Sequence, residues 1–113
     1  ALAERALRAH PNSAMSYNLL GWATIGTGNL DEAENYLKKA LIIDPNLDAA
    51  YLNYGVLNEK KGLIEKAIQD YQKAYKIGKG NSISSAAADH YNKLIGKTSN
   101  IDYATVKVDL LNQ

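Results

Sequence analysis

The chain is 113 residues long, 46% hydrophobic and 22% charged, enough for one compact domain and too short for an enzyme with a separate cofactor domain. With 13 Lys and Arg against 12 Asp and Glu the formal charge is +1, so no global excess points to nucleic acid, an anionic membrane or an acidic substrate. Zero cysteines exclude disulfides, thiolate metal sites and thiol nucleophiles, and the aliphatic run Ala40-Leu41-Ile42-Ile43 is far below the roughly 18 residues of a membrane span.

Residue 1 is Ala rather than Met, and no basic stretch followed by a long apolar one is visible. The sequence therefore reads as part of a longer chain, soluble, with a cytoplasmic setting favoured over an exported one. Residues 1–13 are expected to be the end of a truncated repeat. Asn12 or Ser13 then offers a cap to a helix over 14–27, in which Tyr17, Leu20, Gly21 and Thr24 fall at i, i+3, i+4 and i+7 and Gly28 is the stop. Asn29-x-x-Glu32 resembles a capping box, and Asp31 and Glu32 suit the positive end of the next helix. Ala33, Leu37, Ala40 and Leu41 form its apolar stripe, and Asp44-Pro45-Asn46 ends it. Helices over 48–61 and 64–77 follow, broken by Gly62 and by Gly78-Lys79-Gly80-Asn81.

One constant shift superposes Tyr17 on Tyr51, Gly21 on Gly55, Gly28 on Gly62, Ala33 on Ala67, Lys39 on Lys73, Ala40 on Ala74 and Ile43 on Ile77. Those identities exceed the about two expected by chance for such a composition. Ala6-Leu7 likewise falls on Ala40-Leu41 and Pro11-Asn12 on Pro45-Asn46, so the repeat extends upstream. Small residues at Gly21, Ala33, Gly55 and Ala67 let paired helices approach closely. The reading is one all-α domain: repeat 1 over 14–47, repeat 2 over 48–81, and a degenerate repeat or capping helices over 82–113.

The third unit is ambiguous. In strict register its first helix would turn Ser85, Ala88, Asp89 and Asn92 inward, a poor core. Sliding by three positions gives Ala88, Tyr91, Asn92 and Ile95, then Ala104, Val108 and Leu111, and implies a longer loop through Gly78–Ser84. Residues 104–110 also alternate with period two, which leaves a strand as the alternative.

Chemistry-bearing constellations are sparse. His10 and His90 are the only histidines, with no H-x3-H or HExxH spacing, so no metal is expected. Gly96-Lys97-Thr98 lacks the leading glycine of a phosphate loop and follows a helix. It reads as a helix stop. Gly26-Thr27-Gly28 lacks the third glycine of a dinucleotide fingerprint. No catalytic residue and no cofactor is assigned, and the chain reads as a non-enzyme.

The pattern Tyr17-x2-Leu20-Gly21, Ala33-x3-Leu37, Ala40, Pro45, followed by Tyr51-x2-Tyr54-Gly55, Ala67-x3-Tyr71, Ala74, resembles the tetratricopeptide repeat (TPR). Departures are Thr24 and Asn58 at a place for a large residue and Lys79 where proline would sit. The resemblance implies an α-α superhelix, a solenoid of stacked helix pairs that serves as a scaffold for protein–protein interaction, its concave face lined by the first helix of each pair.

It also implies the groove residues: Met15, Asn18, Trp22, Ile25 and Gly26 from repeat 1, Ala49, Leu52, Asn53, Val56, Glu59 and Lys60 from repeat 2, and Ala86, Asp89, His90, Lys93 and Lys97 from the shifted third unit. The expected partner is a peptide or amphipathic helix of another protein, anchored on Trp22, Leu52 and Val56 with Asn18 and Asn53 pinning its backbone. The alternative reading of Trp22 is packing against a helix that precedes this stretch; with that helix lacking, the N-terminal edge is expected to self-associate weakly. The family's carboxylate-gripping pattern is not met, since Asn18 and Trp22 stand where its Lys and Asn would be. An alternative function is nucleic-acid binding by residues 59–97, with eight lysines against four acids.

Overall fold

The computed structural model describes residues 13–98 and, separately, Arg8. The expected helix end before Ser13, His10, the positions Ala104, Val108 and Leu111, the strand alternative at 104–110 and the side chain of Lys97 lie outside the described residues. Five helices occupy the described residues, with no strand among them: α1 (Ala14–Thr27), α2 (Leu30–Ile43), α3 (Asp48–Lys60), α4 (Ile64–Gly78) and α5 (Ser82–Thr98).

Local chemistry sets their ends. Ser13 takes an extended conformation and its hydroxyl accepts from Ser16 N, which satisfies one of the free amides of α1. Gly28 closes α1 with φ 85°, a left-handed value that only glycine adopts without strain. After α3, Leu63 N donates to Asn58 O at 2.8 Å and Gly62 N to Glu59 O at 3.0 Å, the paired bonds of a Schellman turn. The expected capping box at Asn29 is not made. Asn29 Nδ2 donates instead to Glu32 Oε2 at 2.8 Å, so the two side chains hold each other and not the backbone amides.

Lys79 follows α4 at φ 50°, ψ 46°. Proline, whose ring fixes a negative φ, cannot take that conformation, which accounts for the missing family proline. Asn81 then caps α5, its Oδ1 accepting from Ser84 N at 3.0 Å, while the buried Ser84 hydroxyl donates to Tyr75 O at 2.8 Å. These bonds start α5 at Ser82, one repeat period after Asp48, so the expected longer loop is absent. Only the loop is contradicted. The inward face is nearer to that of the slide, since Tyr91 is buried and Ala88 and Ile95 pack against the second cluster, with Ser84, Ala87 and Leu94 buried beside them. Ser85 and Asp89, turned inward in strict register, are exposed. α5 buries the face that packs on the preceding pair, and the face too polar for a core has no second helix to cover it among the described residues.

Within each pair the helices meet at a glycine. A Cβ on Gly21 would fall 2.7 Å from Leu37 Cδ2, and one on Gly55 would fall against the ring of Tyr71. Leu37 and Tyr71, both fully buried, fill the space those glycines leave. Two clusters result: Ile25, Ala33, Leu37 and Leu57 around the first pair, and Ala67, Tyr71, Ala74, Ala87, Tyr91 and Leu94 around the second, with Val56 packed on both.

The stacking is asymmetric. First helices approach one another, α1 to α3 and α3 to α5, whereas the second helices α2 and α4 make no close approach among the described residues. Inner helices in contact and outer helices apart describe a curved array, with α1, α3 and α5 on its inner side.

Candidate functional site

α1, α3 and α5 present the residues singled out for binding. In the observed register Trp22, Val56 and His90 are equivalent positions, one per first helix. Trp22 is 51% exposed and Met15, two turns earlier on the same face, 47%. Both are large apolar groups left in water on a helix that buries much of its remaining apolar surface. Leu52 and Val56 are half-buried and pack against the second cluster, so they contribute to folding as well as to the surface. Ala49 and Ala86 are half-buried, Gly26 and Asp89 exposed.

Asn18 and Asn53 are spent on each other. Asn53 Nδ2 donates to Asn18 Oδ1 at 2.8 Å, with 9% and 3% of the two residues exposed. The expectation that they pin a partner's backbone is corrected by this bond, which joins α1 to α3 across the repeat boundary. Met15 Sδ lies 3.8 Å from Asn18 Nδ2 and continues the contact outward. Ile25 is also corrected: it is buried with Ala33, Leu37 and Leu57, because its face of α1 turns toward α2 and not toward the inner surface.

Glu59 holds the place in α3 that Ile25 holds in α1, and it too turns inward. Tyr71 OH donates to Glu59 Oε1 at 2.6 Å, and the Tyr71 ring stacks on His90 of α5 with centroids 5.2 Å apart and planes 15° from parallel. Burial, the hydrogen bond to Glu59 and its charge push the Tyr71 phenol well above its ordinary value, so it remains a donor. Lys60 and Lys93 are exposed at the C-terminal side of this surface. Lys61 bridges to α2, 3.2 Å from Glu34 and 3.6 Å from Asp31, and Tyr54 OH reaches Glu34 at 3.5 Å.

Asn58, at a family position for a large residue, is buried and donates from Nδ2 to Asp70 Oδ2 at 2.6 Å. Burial pushes the Asp70 carboxyl up to about 6, against the opposing pull of that hydrogen bond and of Lys73 and Lys66. Thr24, its counterpart in repeat 1, satisfies itself by donating to Leu20 O at 2.6 Å. Among the described residues no group of three or more His, Asp or Glu is placed to hold a metal, and no helix is long and apolar enough to cross a membrane.

Paired antiparallel helices in a curved array, with an apolar and partly exposed inner surface, define an α-helical repeat protein. Residues 1–48 and 48–78 each match a model of the tetratricopeptide repeat, and the chain belongs to that family. Over 48 residues, 42% of this chain, it is 44% identical to heat shock protein STI1 of Saccharomyces cerevisiae; the match spans 8% of that relative's length. Tetratricopeptide repeats are generally non-catalytic scaffolds, and the repeats of this chain support a protein–protein interaction module.

Proposed function

We propose that the inner surface of α1, α3 and α5 binds an apolar peptide segment or amphipathic helix of a partner protein. The observation that supports this most is the exposure of Trp22, 51%, on a helix whose neighbours lie on the inside of the curve. An indole held on a rigid helix and half in water gains by desolvation when covered, at little entropic cost. Met15 extends the anchor, Leu52 and Val56 supply a shallow apolar floor, and Lys60 and Lys93 border it with positive charge. Asn18, Asn53 and Glu59 set the spacing of the helices beneath it.

A random peptide display library selected against the protein tests this reading. Selected peptides should shift the emission of Trp22, the only tryptophan, to shorter wavelength, and should lose about tenfold in affinity on Trp22→Ala. The clean variants are Trp22→Ala and Met15→Ala, since both residues are exposed and their truncation spares the core. Peptides that bind wild type and a folded Met15→Ala/Trp22→Ala protein equally well would remove the groove from consideration.

A further inference from the structure

The chain holds one sulfur atom: it has no cysteine, and Met15 is its single methionine. Of the large apolar side chains that the described residues leave in water, Met15, Trp22, Ile42, Ile43 and Leu63, it alone carries lone pairs on a soft, easily oxidised atom. Met15 is the second residue of α1, on the inner surface with Trp22, and 47% of it is exposed. The susceptibility of sulfur to oxidants follows such exposure.

The sulfur is also held in place. Asn18 Nδ2 donates to Met15 Sδ at 3.8 Å, and Asn18, only 3% exposed, is fixed in turn by accepting from Asn53 Nδ2 at 2.8 Å. A thioether is a weak acceptor, so this buried amide gains less from its N–H than it would from a harder oxygen. A sulfoxide supplies such an oxygen. Rotation about the Cγ–Sδ bond can bring it to the same N–H, so the donor that steadies the reduced side chain also steadies the oxidised one. The fold therefore tolerates the change while the surface above it does not: an apolar contact becomes a strong dipole, which a partner has to desolvate.

We propose that Met15 is a site of reversible oxidation that weakens the hold of the inner surface on its partner, an inference that rests on the reading of that surface as a groove. The oxidant is a hydroperoxide. A lone pair of Sδ attacks its outer oxygen, an S–O bond forms as the O–O bond breaks, and the proton on the attacked oxygen passes to the leaving one. With hydrogen peroxide the products are the sulfoxide and water; the sulfur gives up two electrons and the peroxide takes them. A dithiol reductant reverses the step, closing to a disulfide as the oxygen departs in water.

The test is brief treatment of the whole chain with dilute hydrogen peroxide, followed by peptide mapping in the mass spectrometer, thermal melting, and titration with an apolar peptide selected by display on the reduced protein. Met15 should gain a single oxygen at a rate within about tenfold of free methionine. The melting temperature should hold or rise, and the peptide should bind about five- to tenfold more weakly, recovering when a methionine sulfoxide reductase and dithiothreitol are added. Met15→Gln, with a polar side chain of similar length, should reproduce the weakened binding without peroxide. Met15→Leu, whatever its own affinity, should not respond to peroxide. The proposal is overturned if Met15 oxidises more slowly than that, if oxidation lowers the melting temperature, if the peptide binds the oxidised and reduced proteins alike, or if Met15→Leu responds as wild type does. Each of these leaves the groove standing. Failure of any selected peptide to bind the reduced protein at the inner surface would instead remove the groove, and the switch with it.

Discussion

In the first helix pair Ile25 of α1 and Leu37 of α2 share an apolar cluster; one repeat later the same two places hold Glu59 and Tyr71, joined by a 2.6 Å hydrogen bond. Thr24 and Tyr36 of the first pair likewise give way to Asn58 and Asp70, joined at 2.6 Å. Repeat 1 packs Ile25 and Leu37 in one apolar cluster and turns the Thr24 hydroxyl back to Leu20 O, whereas repeat 2 joins its helices at both places by polar bridges. The backbone frame, set by Gly21 and Gly55 and by the caps, stays the same. The frame therefore depends on the close approach at the glycine and on volume opposite it, while the chemistry of the contact is free to vary so long as each polar group finds its partner.

The comparison breaks most visibly at the glycines. Gly55→Leu should destabilise by about 3 kcal/mol or more and Gly21→Leu by about 1–3 kcal/mol, because the Tyr71 ring is stiff whereas Leu37 can change rotamer. Chemical denaturation of both variants checks the order, and equal costs would mean that the two contacts yield alike.

Tyr71→Phe keeps the ring and removes the bond to Glu59, and should cost about 1.5–2 kcal/mol. No hydroxyl exists at Leu37, so repeat 1 offers nothing equivalent to lose. A negligible change on urea unfolding would show the hydroxyl to be idle.

Asp70 adds a pH dependence that Tyr36 cannot. Its carboxyl is raised from 3.8 to about 6, so the folded chain holds the proton more tightly than the unfolded one. Its contribution is fully present below pH 3.8 and is lost as pH rises through about 6. Asp70→Asn keeps an acceptor for Asn58 and should remove that slope, leaving the variant about 1 kcal/mol more stable at pH 7 after solvent screening. Parallel stability curves for the two proteins between pH 4 and pH 7 would contradict the assignment.

The smallest effect is expected at the exit of repeat 2. Lys79→Gly relieves a left-handed non-glycine residue and should raise stability by about 0.5–1 kcal/mol, seen as a small rise in melting temperature.

Much of this is legible in the sequence because the period and the punctuation agree. Glycines mark the stops at 28 and 62, Ser13 reads as a cap, and helix ends fall within about two residues of the expected ones. The third first helix misleads for a physical reason: Ser85 and Asp89 look wrong only if that face must be buried, and α5 buries Ala87, Tyr91 and Leu94 instead. Asn18 and Asn53 occupy different places in their repeats, so no alignment of the copies pairs them, and only the stacking of α1 on α3 does. Ile25 carries a usable signal. Its counterpart is Glu59, opposite Tyr71 as Ile25 is opposite Leu37, a matched exchange at two positions that face each other within a pair.

Tyr71 touches three helices at once: it sits on α4, fills the gap at Gly55 of α3, and stacks on His90 of α5. Separating any one of these helices exposes the same ring and breaks contacts to the other two. In native-state hydrogen exchange the amides of α3, α4 and α5 should consequently report one shared opening free energy, as a single cooperative unit. The α1–α2 pair, joined to them by Leu57 in the first cluster, by Asn18–Asn53 and by the Glu34–Lys61 bridge, lies outside the contacts of Tyr71 and so has a route to open alone. Among the described residues the α1–α2 pair then opens with a free energy of its own, and whatever covers Trp22 of α1 acts as a clamp on that opening.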